Sequence, residues 1–116
     1  MLLWWLADDP IEPAAVEVIS DRANRVAVSV ASVWEIAIKR SLGKLRFDGS
    51  VGELVRAEGF ELVAITDVHA EQAGALPPHH RDPFDRMIIA QARSGRFTVV
   101  SRDPAFSLYD VAVLAG

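Results

Sequence analysis

The chain has 116 residues with a formal net charge of −4, is 51% hydrophobic and 24% charged, and contains no cysteine. That length suits one domain, 1–116, with a core that needs no staples, and the hydrophobic fraction excludes a disordered polar chain. The missing thiols exclude disulfides, thiolate metal sites and cysteine nucleophiles, and the negative balance argues against a passive nucleic-acid coat held by phosphate contacts. No apolar run reaches the length of a membrane span, and the apolar start lacks the basic flank and cleavage site of a signal peptide, so the expected compartment is the cytoplasm.

Taken in chain order, residues 1–7 read as the first turns of a helix that ends near Asp8-Asp9-Pro10. Residues 12–20 fit a second helix with Ala15, Val16 and Ile19 on one face. The β-branched run RVAVSV at 25–30 is a strand. Ser32 opens a helix over 32–41 that Gly43 stops, and Ser50, with Glu53 three positions on, opens another that Gly59 stops. FELVAI at 60–65 is the second strand. Thr66 starts a helix that ends before Pro77-Pro78, and Asp82-Pro83 starts the next, which Gly95 closes. Residues 97–100 form a third strand, followed by Ser101-Arg102-Asp103-Pro104, and 110–114 is a short fourth.

Strands separated by helices imply right-handed crossovers and a parallel sheet covered on both faces, a three-layer α/β/α arrangement. In such sheets ligands bind beyond the carboxyl ends of the strands. Glu35 falls just after strand 25–30, and Asp103 just after strand 97–100. Asp82 and Asp85 begin the helix that feeds that strand, so their end of the helix lies at the same edge. Each acid has a structural explanation. Ser32-x-x-Glu35 is a capping box, Asp82 before Pro83 is an N-cap, Asp85 suits the helix dipole in the first turn, and Asp103 before Pro104 is another N-cap. As a group they are harder to explain, because clustered carboxylates repel unless a cation sits among them. Oxygen donors of this kind suit Mg2+ or Mn2+.

Other residues have competing explanations. Arg81, Arg86 and Arg102 flank the acids and either pair with carboxylates or touch the phosphates of a ligand, which the resemblance given below would make RNA. Lys39, Arg40, Lys44 and Arg46 form the most basic stretch, and a helix C-terminus accounts for the first two. His79 and His80 either contribute to a metal site or belong to an exposed loop, the favoured account because adjacent loop residues rarely converge on one ion, and His69 is structural. Trp4, Trp5 and Trp34 are large apolar side chains of the kind that fill cores; Trp4 and Trp5 are neighbours on the expected helix, which turns one of them toward a partner. A phosphoacceptor domain also pairs an acidic rim with Mg2+. Thr66-Asp67 at the end of strand 60–65 is weakly compatible with it, but no lysine follows Lys44.

The segments LLWWLADDP (2–10), SVASVWEIAIKRSLGKL (29–45), LPPHHRDPFDRMIIAQA (76–92) and VVSRDPAF (99–106) resemble, in this order, proteins of the PIN-domain family, and more closely the VapC-like toxins of VapBC toxin–antitoxin systems. The resemblance implies a Mg2+- or Mn2+-dependent endoribonuclease that is restrained by a VapB-like antitoxin and forms a homodimer. It implies that Glu35, Asp85 and Asp103 are the catalytic, metal-holding acids, with Asp82 and Ser101 in support; Ser101 stands where the family often has threonine. The family's first acid closes an N-terminal strand ahead of the LLWWL-like helix and has no match. By this resemblance the chain is expected to be truncated at its N-terminus and to lack the central strand of the sheet. A binding module that dimerises or holds an antitoxin without cutting RNA is the alternative.

Overall fold

The computed structural model describes residues 2–4, 25–44, 46, 48–78, 82–101 and 104–115. Its elements, in chain order, are β1 (Leu2–Trp4), β2 (Val26–Ser29), α1 (Val30–Ser41), α2 (Val51–Ala57), β3 (Glu61–Val63), α3 (Asp67–Ala75), α4 (Pro83–Gly95), β4 (Thr98–Ser101), a 3-10 turn (Pro104–Leu108) and β5 (Ala112–Ala115). The sheet has five strands in the order β3-β2-β1-β4-β5, and every pairing between neighbours is parallel. The expected α/β class with a parallel sheet is therefore what the chain adopts.

The two faces of the sheet are separated by strand periodicity. Ala27, Val63, Val99 and Val113 point to one side, where Ile88, Ile89 and Ala92 of α4 pack with Leu76, Phe106 and Tyr109. Val28 and Leu62 point to the other, against Ile36 and Val33 of α1 and Val51 and Val55 of α2. The chain thus has the three expected layers, with α1 and α2 on one face and α4 on the other.

One expectation is corrected. Residues 2–4 are a strand rather than part of a helix, and this strand occupies the centre of the sheet that was expected to be empty. The reason is tertiary. The inner edges of β2 and β4 each carry a row of backbone donors and acceptors, and an apolar segment laid between them pairs both rows. Leu2, Leu3 and Trp4 align with Val26, Ala27 and Val28 on one side and with Thr98, Val99 and Val100 on the other. The helix expected over 12–20 lies outside the described residues.

Helix starts follow the sequence closely, with one shift. Ser50 accepts from Glu53 N, Thr66 from His69 N, and Asp82 from Phe84 N and Asp85 N. At α1, however, the cap is Ser29, whose hydroxyl accepts from Ala31 N at 3.0 Å. The strand runs directly into the helix, so Ser32 lies inside it. At the end of α4 the left-handed residue is Arg96, with φ 54°, and Gly95 is still helical. Gly95 is needed there for a different reason: a Cβ on it would lie 2.7 Å from Cε2 of Phe97.

Candidate active site

The carboxyl edge of the sheet gathers buried polar groups. Among the described residues, the buried polar and charged side chains are Ser29, Ser32, Glu35, Asp85, Gln91 and Ser101. Ser29 closes β2 and Ser101 closes β4. Because Trp4 is level with both Val28 and Val100, the two serines lie one residue beyond it on either side of the central strand. This is also where the chain's connections diverge, from β1 toward β2 and from β4 toward β5, and such a switch point is where open α/β sheets bind ligands.

Glu35 and Asp85 reach this edge from opposite layers. Glu35 is 8% exposed and Asp85 is 1% exposed. Glu35 comes from the second turn of α1, on the same side of the helix as the buried Ala31, Ser32 and Ile36. Asp85 comes from the first turn of α4. The two helices touch at the neighbouring residues, where the rings of Trp34 and Phe84 meet in a T-shaped contact with centroids 5.0 Å apart. The capping box once available to Glu35 does not form. The cap has moved to Ser29, and Glu35 lies a full turn beyond its reach.

Asp82 has a clear task. Its Oδ1 accepts from the backbone N–H of Phe84 at 2.8 Å and of Asp85 at 3.2 Å, which fixes the turn that carries Asp85. Ser101 is 3% exposed at the end of β4. Asp103, Arg81, Arg102, His79 and His80 lie outside the described residues.

Arg86 clasps the end of a helix. Its guanidinium donates to the carbonyls of Ala73, Gly74 and Leu76 and to that of Pro77. Ala73 and Gly74 supply orphan acceptors of the last turn of α3, and Leu76 and Pro77 follow directly after it, where a cation is also favoured by the helix dipole. Tyr109 donates to the same Pro77 carbonyl at 2.9 Å. Arg40 lies in the last turn of α1, and its guanidinium donates to the carbonyl of Gly49 in the following loop at 2.8 Å.

Three features escaped the sequence. Gln91 is completely buried, and its amide donates to the carbonyls of Val63, the last residue of β3, and of Ala64 just after it; only the position of a polar residue on the apolar face of α4 hinted at it. Trp34, expected in the core, is 59% exposed. Ser32 is fully buried, and its hydroxyl makes no hydrogen bond.

The donor set at the edge is carboxylate and hydroxyl oxygen, which fits a hard divalent cation better than a soft one. Glu35 and Asp85 are the described residues able to hold it. No group of three or more His, Cys, Asp or Glu forms among the described residues. Among them, too, no helix is long and apolar enough to cross a membrane.

The fold is shared with solved structures. FitAcB from Neisseria gonorrhoeae is similar at 20% identity and a TM-score of 0.67, covering 99% of this chain and 97% of that one. A toxin–antitoxin complex from Klebsiella pneumoniae is similar at 16% identity and a TM-score of 0.59, over 99% of this chain and 97% of that one. VapBC2 from Rickettsia felis, bound to a DNA fragment from its promoter, is similar at 14% identity and a TM-score of 0.58, over 87% and 81%. No curated protein matches the sequence. The sequence itself matches the PIN domain family over residues 1–112, and the chain belongs to that family.

Proposed function

We propose that this chain is a VapC-like endoribonuclease toxin of a type II toxin–antitoxin system, acting in the cytoplasm. The observation that carries the reading is the placement of Glu35 and Asp85, both buried, both from helix starts, at the switch-point edge of the sheet. Membership of the PIN domain family and the likeness in fold to a toxin–antitoxin complex support it.

Glu35, Asp85 and Asp103 would hold Mg2+ or Mn2+, directly or through waters. When bound, such an ion activates water and steadies the charge that develops on a phosphoryl oxygen. The chain's own residues prepare for this. Asp82 fixes the first turn of α4 and so aims Asp85, Ser29 fixes the first turn of α1 ahead of Glu35, and the burial of both acids excludes bulk water from their surroundings. Ser101, buried at the end of β4, would support the rim. The substrate is an RNA phosphodiester, the partner is a VapB-like antitoxin, and the working form is a homodimer.

The test is cleavage of RNA with Mg2+ or Mn2+ by the parent chain and by Asp85→Asn, with calorimetry against Mn2+ alongside. The expected result is Mn2+ binding and cleavage by the parent, both lost in Asp85→Asn while its circular dichroism stays unchanged. A parent that captures an antitoxin but neither binds Mn2+ nor cuts RNA would instead be the binding module. Full activity in Asp85→Asn would remove that residue from the site.

A further inference from the structure

Trp34 stands at the lip of the acidic edge. It directly precedes Glu35, and its ring meets that of Phe84, which directly precedes Asp85, at 5.0 Å and an interplanar angle of 68°. Edge-to-face packing of this kind is favourable and fixes ring orientation. It uses only part of the indole, which remains 59% exposed. A rigid, open aromatic surface therefore flanks the two buried carboxylates.

Electrostatics narrows what such a surface meets. The chain carries a net charge of −4, and the guanidinium of Arg86, next to Asp85, is committed to backbone carbonyls. Among the described residues at this edge, phosphate contacts are therefore poorly provided for. Stacking of a base on an aromatic ring is independent of charge and tolerant of sequence. We infer that Trp34 is the stacking platform for one unpaired base of single-stranded RNA whose phosphodiester lies at Glu35 and Asp85. A base inside a duplex has both faces covered and gains nothing from it. The inference rests on the nuclease reading above and assigns to that site the residue that engages a base.

The rival occupant is a second copy of the chain. Val30 and Leu42, 36% and 63% exposed, continue from Trp34 along the same helix at four- and eight-residue spacing. The experiment separates the two. Binding of a labelled single-stranded oligoadenylate is followed by fluorescence anisotropy with Ca2+ replacing Mg2+, so that affinity is read without turnover. Sedimentation velocity is run on the same samples. Trp34→Leu is expected to lose affinity by about 5- to 150-fold, the equivalent of about 1–3 kcal/mol. Trp34→Phe is expected to restore most of it. An abasic ribose-phosphate oligomer of the same length should bind parent and Trp34→Leu alike. With Mn2+, KM should rise while kcat changes little. Unchanged affinity in Trp34→Leu, an equal loss on duplex RNA, or a change in oligomeric state would each overturn the inference. A parent that binds the oligomer in Ca2+ but fails to cut it in Mn2+ refutes the nuclease reading and leaves the stacking platform standing. A parent that binds no RNA refutes both.

Discussion

Replacing Arg86 tests whether the clasp between α3 and α4 is as important as its geometry implies. The Nε and Nη2 groups both donate to Ala73 O, at 3.1 and 2.8 Å, and Nη2 also donates to Leu76 O at 2.9 Å, all in partly buried surroundings. The bonds to Pro77 O at 3.2 Å and Gly74 O at 3.4 Å are exposed. Water can replace the exposed pair, so their loss costs little. The partly buried carbonyls of Ala73 and Leu76 keep most of their desolvation penalty, and a bond from a charged donor contributes about 1.5–3 kcal/mol. Counting two such bonds at the lower end, because one guanidinium serves both, Arg86→Ala should cost about 3–4 kcal/mol. In a domain of this size that lowers Tm by on the order of 10 °C. Arg86→Lys keeps the charge but replaces a planar fork by a point, so it should recover only about half. Urea unfolding followed by circular dichroism, with m held constant across the series, measures both values. Adding Tyr109→Phe should give a non-additive cycle, since both side chains donate to Pro77 O. A lysine variant as stable as the parent, or an alanine variant that loses less than about 1 kcal/mol, would show that the carbonyls are satisfied without the guanidinium.

Three further outcomes follow from the same reasoning. Gln91→Leu keeps the volume but strands the carbonyls of Val63 and Ala64, and should cost about 1–3 kcal/mol in the same urea assay. Arg96→Gly relieves a left-handed residue at φ 54° and should stabilise by about 1 kcal/mol; Gly95→Ala should destabilise by about 1–3 kcal/mol despite alanine's better helix propensity, because its Cβ would press on Phe97, and thermal unfolding of the two variants reads the opposite signs. Asp82→Ala should lose about 1 kcal/mol of stability as a helix cap, and Mn2+ calorimetry should show weaker binding, since the freed turn carries Asp85.

Much of the architecture was legible because local chemistry and tertiary need agree. VAVS and TVVS are β-branched runs, and Ser50, Thr66 and Asp82 cap the helices they were expected to cap. The central strand was not legible. LLWWL has no cap, no turn residue and no polar alternation, so its local pattern suits either state, and only the open edges of β2 and β4 decide the matter. The cap of α1 was misplaced because SVAS offers two serines three residues apart, and each could serve; which of them does depends on where the strand lets go. The exposure of Trp34 and the clasp made by Arg86 were hidden for one shared reason: a side chain's partner across the fold is set by packing, which a single sequence does not display.

That misplaced cap matters for the acidic edge. Had Ser32 capped α1, Glu35 would have been the reciprocal partner of a capping box and needed no other explanation. With Ser29 in that position, Glu35 is a buried carboxylate one turn past the cap, and Asp85 is a second one from the opposite layer. Two helix starts face this edge, and a helix N-terminus favours a nearby carboxylate by about 0.3–1 kcal/mol. Removing a carboxylate from water costs several kcal/mol even after relaxation. The dipoles alone offset a small part of that cost. Under the proposed reading a divalent cation bound between the layers adds to the balance by binding the folded chain, so the same ion that makes the edge reactive also makes it more stable. Mn2+ should accordingly raise the unfolding midpoint of the parent and leave that of Asp85→Asn unmoved.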